Sequence, residues 1–155
     1  MQAGLTGILG GLNLLHADYD NDGHLDVLVL RGAWLGRAGR QPNSLLHNNG
    51  DGTFTDTTFE AGLGEDHRPS QTASWADYDN DGDLDVLVLR GAWMGEVGRG
   101  YPNSLLQNDG HGCFRDVTFD AGLGDTHYPT QTAAWADFDN DGDLDLYVGN
   151  EQYPS

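Results

Sequence analysis

Apolar residues along this chain fall in short runs with the two-residue period of strands. Leu84, Val86 and Val88 alternate with Asp85, Leu87 and Leu89, so both faces beyond the aspartate are apolar, and Leu25 to Leu30 repeats the pattern. A strand of that kind is covered on two sides. Ser44 to His47 and Thr53 to Phe59 flank Asn48-Asn49-Gly50-Asp51-Gly52, and Ser104 to Gln107 and Cys113 to Phe119 flank Asn108-Asp109-Gly110-His111-Gly112. Paired glycines with Asn or Asp are hairpin-turn chemistry. A further strand around Thr72 to Ala76 gives each unit four short strands. No segment sustains a helical apolar period, and 23 glycines would penalise helices throughout.

The strands belong to a tandem repeat. The segment from Ala17 to Asp26 returns at Ala76 to Asp85 and at Ala136 to Asp145, with offsets of 59 and 60 residues. Between these copies Pro42-Asn43-Ser44-Leu45-Leu46 recurs as Pro102-Asn103-Ser104-Leu105-Leu106, and Phe59-Glu60-Ala61-Gly62-Leu63-Gly64 as Phe119-Asp120-Ala121-Gly122-Leu123-Gly124. The expected fold is all-β: tandem four-stranded antiparallel propeller-type blades, about two and a half of them, not closed within this chain. Counted from the acidic segments, residues 1–155 form one array: 1–16 the end of a preceding repeat, 17–75 the first, 76–135 the second and 136–155 a partial third. Blades that each bury a face on a neighbour leave bare faces at the ends of an array. Neighbouring repeats or other copies of the chain are therefore the expected partners.

Composition narrows the partners further. The chain has 155 residues and a formal charge of −18, which suits one modest domain and repels nucleic acid and anionic membrane surfaces. No stretch approaches the roughly 20 apolar residues of a membrane helix, and residues 1–15 lack the basic start and cleavage site of a signal peptide. One cysteine, Cys113, excludes an internal disulfide and reads as a small packed side chain where the other unit has Thr53.

The acidic segments carry the chemistry. Each reads D-x-D-x-D-G-x-x-D, and carboxylates at positions 1, 3 and 5 surround one point only if the backbone turns sharply at the glycine. The expected metal donors are Asp18, Asp20, Asp22 and Asp26 with the His24 carbonyl; Asp77, Asp79, Asp81 and Asp85 with the Asp83 carbonyl; and Asp137, Asp139, Asp141 and Asp145 with the Asp143 carbonyl. With no His or Cys side chain in a ligand position, these hard oxygen sets favour Ca²⁺, in three sites, over zinc or copper. Without a cation, four carboxylates in nine residues repel one another by something on the order of several kcal/mol. An EF-hand would need Glu at position 12 between helices, whereas Val29, Val88 and Val148 stand there inside apolar strands.

These loops, the Pro-Asn-Ser-Leu-Leu segments and the Asn-Gly-x-Gly-x-Phe turn ending at Phe54 or Phe114 resemble the FG-GAP/VCBS repeats of integrin α-subunit propellers and related bacterial secreted proteins. The resemblance implies calcium-stabilised blades, placement outside the cell or on its surface, and adhesion or ligand recognition. It extends over nearly the whole chain. Family propellers close with about seven blades, more than this length supplies.

The remaining side chains have plainer expectations. Trp75 and Trp135 precede equivalent acidic loops, where His16 stands in the first unit, and are expected in the core between blades. Trp34 and Trp93 follow strand exits beside glycine-rich stretches and are the candidate ligand-binding residues, able to stack on a sugar or another chain. His67 and His127 are expected as solvated loop residues. No nucleophile sits in a catalytic motif such as G-x-S-x-G or H-E-x-x-H, so the chain is expected to be no enzyme. Two readings stay open: a binding module for a carbohydrate or protein ligand, and a structural repeat that self-assembles into a fibre or ring.

Overall fold

The structure is a computed structural model, and it describes residues 3–8, 10–31, 41–90, 100–125 and 127–150. Trp34 and Trp93 lie outside the described residues. Ten strands follow in order: β1 (Gly11–Ala17), β2 (Asp26–Arg31), β3 (Ser44–Asn48), β4 (Phe54–Asp56), β5 (Thr72–Ala76), β6 (Asp85–Leu89), β7 (Ser104–Asn108), β8 (Phe114–Asp116), β9 (Thr130–Ala136) and β10 (Asp145–Asn150). They form three antiparallel sheets, β1-β2-β3-β4, β5-β6-β7-β8 and the pair β9-β10, and none closes into a barrel. The chain is all-β among the described residues.

The acidic loop joins the first two strands of each sheet, so it is a hairpin loop: Ala17 pairs with Asp26, Ala76 with Asp85 and Ala136 with Asp145. Each sheet therefore begins one strand before the acidic loop, and the repeat frame drawn from the loops is offset from the sheets. The Ala3 carbonyl accepts the Phe54 N–H at 2.9 Å, just as the Ala61 carbonyl, in the linker after the first sheet, accepts the Phe114 N–H at 2.9 Å.

Neighbouring residues of β6 explain why the strand is apolar on both sides. Val86 and Val88, with Ala73, Leu106 and Phe114, pack against Leu28, Leu30, Leu45 and Tyr19 of the first unit. Leu87 and Leu89, with Leu105 and Val117, pack toward Ala133, Trp135 and Leu146 of the third. Every residue of β6 is 1% exposed. Burying each Leu or Val contributes roughly 1.5–3 kcal/mol, so the sheets are held mainly by one another. The first strands of adjacent sheets also meet, with Asn13 Nδ2 donating to Thr72 Oγ1 at 3.0 Å.

Short turns end the outer strands. The Asp56 carboxylate accepts the Thr58 hydroxyl, and the Thr58 oxygen takes the Leu45 N–H at 3.0 Å; Asp116, Thr118 and Leu105 repeat the arrangement. These side-chain bonds stop β4 and β8 at Asp56 and Asp116, short of the Phe59 and Phe119 expected from the pattern. Gly112, at φ +80°, lies so near the Tyr19 ring that a Cβ would sit 2.9 Å from it.

Two expectations change. Trp75 and Trp135 do lie between sheets, but half-buried, each packed at the margin of a core cluster rather than within it. Cys113 is exposed, standing after the turn glycine rather than on a packed face.

Candidate metal loops

Each loop is wrapped by its own first aspartate. Asp18 accepts the N–H groups of Asp22 and Gly23, both at 2.9 Å; Asp77 accepts those of Asp81 and Gly82 at 3.0 and 3.1 Å; Asp137 accepts those of Asp141 and Gly142, both at 3.1 Å. The wrap needs two left-handed residues, the glycine at position 6 and the asparagine at position 4: Asn21, Asn80 and Asn140 have φ of 58°, 60° and 61°. Asparagine tolerates that conformation better than other residues with a Cβ. At position 5, Asp22, Asp81 and Asp141 each accept the N–H of position 7, at 2.8, 3.0 and 3.0 Å.

The ninth position closes the loop from the strand side. Asp26 and Asp85 are each 1% exposed and are held by two N–H groups, those of Tyr19 and Asn48 at 3.3 and 2.7 Å and those of Tyr78 and Asn108 at 3.2 and 2.8 Å. Asp145 accepts the Phe138 N–H at 3.0 Å. Burial pushes the Asp85 carboxyl up to about 6, against the opposing pull of its two N–H donors, with the charges of Asp79 and Asp81 adding to the rise. Burial also raises Asp26.

Oxygen atoms of Asp18, Asp20 and Asp22 lie within 4.8 Å of one another, as do those of Asp77, Asp79 and Asp85, and those of Asp137, Asp139 and Asp145. Asp81 and Asp141 belong to their loops but not to these closest groups. At position 7, Asp83 and Asp143 turn their carboxylates toward the asparagine of the preceding loop, at 3.0 and 3.1 Å. Among the described residues the ion pairs of these carboxylates are to histidine alone; the guanidinium pairs are formed by Asp66, Asp116 and Asp120.

Sequence reading gave no histidine side chain a place here, and the structure brings one in. His47 Nδ1 is 3.0 Å from Asp20 and 3.4 Å from Asp26, and these three groups form a fourth close set. In the second unit the equivalent residue is Gln107, whose Nε2 donates to Asp79 at 2.6 Å. The signal was the register: Val27 pairs with Leu46, so the next pair brings His47 opposite Asp26. His24 also uses its ring, with Nδ1 3.1 Å from Asp22.

The donors fit a hard divalent cation. Every loop gathers carboxylate oxygens, and in the first, Asp20 Oδ1 is buried without a hydrogen-bond partner. Such an orphaned acceptor is what a cation would satisfy.

Residues 18–88 match the FG-GAP-like repeat family. The chain is also similar to cartilage acidic protein 1: 38% identical to the Mus musculus protein and 37% to the Homo sapiens protein over 117 residues, which is 74% of this chain in both cases. The Xenopus tropicalis protein is 31% identical over 115 residues, 72% of the chain. These alignments span only 17%, 16% and 16% of the three relatives' own lengths. The acidic hairpin loops, the four-stranded sheets stacked face to face and the matched segment agree: this chain carries FG-GAP-like repeats.

Proposed function

We propose that this chain is a non-catalytic, calcium-binding repeat module of a protein outside the cell or on its surface, acting in adhesion or ligand recognition. The observation that supports it most is the threefold recurrence of a carboxylate cluster in a hairpin loop, with no arginine paired to it among the described residues. Seven arginines and lysines against 25 acids leave little protein charge to balance these loops. The ions would be held by the side chains of Asp18, Asp20, Asp22 and Asp26, of Asp77, Asp79, Asp81 and Asp85, and of Asp137, Asp139, Asp141 and Asp145, with the main-chain oxygens of His24, Asp83 and Asp143. Calcium supplies a counter-charge and a fixed loop shape. The stacked sheets then present those loops on one rigid body.

Calcium titration of the chelator-treated chain should show three equivalents, and Asp79→Ala should lose one of them. Uptake of fewer than three by the parent, or of all three by the variant, would show that the donor sets are misassigned.

A second reading, assembly with further blades, is favoured by one surface. Val27, Val29, Leu46 and Phe54 line an apolar groove with Leu12 and Leu14 on the face of the first sheet turned away from the second. Their equivalents Val86, Val88, Leu106 and Phe114 are covered by the first sheet. The groove would take another blade, from a longer polypeptide or from a second copy. Sedimentation in calcium buffer tests the second source: a concentration-independent monomer would leave only the first.

A further inference from the structure

The asparagine at position 4 of the first and second loops reaches into the loop of the next blade. Asn21 Nδ2 donates to Asp83 Oδ1 at 3.0 Å, and one repeat later Asn80 Nδ2 donates to Asp143 Oδ1 at 3.1 Å and to the Gly142 carbonyl at 3.4 Å. The same contact thus occurs at both junctions between blades. Asp83 and Asp143 are the residues whose main-chain N–H groups bond Asp81 and Asp141 within their own loops. A second tie joins the first two loops. Buried Asn108 donates its side-chain N–H to the Tyr19 carbonyl at 2.8 Å and to the Leu84 carbonyl at 3.2 Å, while its main-chain N–H holds Asp85 at 2.8 Å.

From these links we propose that the loops bind their cations cooperatively, with the position-4 asparagine as the positioning residue that transmits order from one blade to the next. The inference rests on the calcium reading above. Asn21 and Asn80 stand between consecutive loop carboxylates and sit at positive φ within the turn that the first aspartate of their own loop wraps. An ion that gathers Asp77, Asp79 and Asp85 fixes Asn80, and Asn80 then fixes Asp143 and the turn at Gly142. The third loop binds with part of its ordering already done, and by reciprocity a filled third loop favours the second. The junction between the first two loops, having two ties, is the more strongly coupled.

A thermodynamic cycle tests this at the single-tie junction. Asn80→Gly keeps the left-handed backbone accessible and removes only the amide arm. Asp139→Asn disables the third site. Calcium affinity of the second site is measured by titration calorimetry in the parent, in each variant and in the double variant. In the parent background Asp139→Asn should weaken the second site by about three- to ten-fold, the range of one hydrogen bond's net worth; in the Asn80→Gly background it should weaken it less than two-fold. Repulsion between the ions is present in both backgrounds and cancels. The Asn80→Gly protein should melt at the parent's temperature in EDTA and below it in calcium, a split that a merely structural residue would not give. The parallel cycle with Asn21→Gly and Asp20→Asn should keep part of its coupling through Asn108. Equal weakening in both Asn80 backgrounds would overturn the coupling while leaving the calcium sites intact. A parent chain that takes up no calcium would overturn the underlying reading, and the coupling with it.

Discussion

On the calcium reading proposed above, removing the ion should reverse the direction in which acidity affects this fold. Asp85 is 1% exposed and its carboxyl is raised from 3.8 to about 6, chiefly by burial. A group raised in the folded state is protonated there while the unfolded chain has already released its proton. Its contribution therefore favours the fold at low pH and is lost as pH rises through the window from about 4 to 6. With those two values the linkage relation gives about 1.4 kcal/mol more stability at pH 5 than at pH 7.5 from Asp85 alone, and Asp26, also raised by burial, adds in the same direction. Asp66 and Asp116 act elsewhere. Burial pushes both up, but hydrogen bonds from Arg68 to both, the Arg90 charge on Asp66 and Thr118 on Asp116 bring them below the ordinary range, so their stabilisation is lost only at lower pH. Calcium requires ionised carboxylates and competes with protons; in millimolar calcium, stability should fall as pH drops from 7.5 to 5. Urea unfolding at pH 5, 6 and 7.5, in EDTA and in calcium, measures both slopes. Stability in EDTA that is flat or increases toward pH 7.5 would refute the argument.

Three further outcomes follow from the packing. Arg90 is 0% exposed and its guanidinium lies 2.5 Å from Asp66, so Asp66→Asn should cost about 3 kcal/mol in urea unfolding by leaving a buried charge unpaired, whereas Arg68→Ala, at a part-exposed pair, should cost less than about 1 kcal/mol. Phe114 sits 5.9 Å from the Tyr19 ring and 6.1 Å from that of Trp75, and Phe114→Ala should cost roughly 3–5 kcal/mol in calcium; a loss below 1 kcal/mol would show that the first two sheets do not depend on each other. His47→Gln should give the first loop the donor set of the second, and calorimetry should then find the two calcium affinities converging.

Much of this architecture was readable from local chemistry. The alternation in Val86 to Leu89 implies two covered faces because a strand's side chains have no third direction, and the glycine in each loop marks the turn that brings the carboxylates together. What could not be read was whatever depends on a second element. Asn21 looks like an ordinary turn residue until the next blade places Asp83 against it. His47 meets Asp20 and Asp26 only through the pairing of β2 with β3. Arg90 closes an apolar run and reads as a strand exit. Its burial depends on Asp66, Ser70 and Ser104, which come from the linker between sheets and from β7. The outer strands were overestimated because Thr58 and Thr118, good strand formers, spend their hydroxyls on Asp56 and Asp116 instead.

The bond from Phe54 to the Ala3 carbonyl, repeated from Phe114 to that of Ala61, bears on how such a chain can change its number of blades. The segment leaving one unit is the latch for the outer strand of the next, so catch and latch lie within one repeat length of each other. Duplicating any window of 59 or 60 residues regenerates both halves together, as deleting one removes both. Unequal recombination within the gene can therefore add or drop a blade without orphaning this contact.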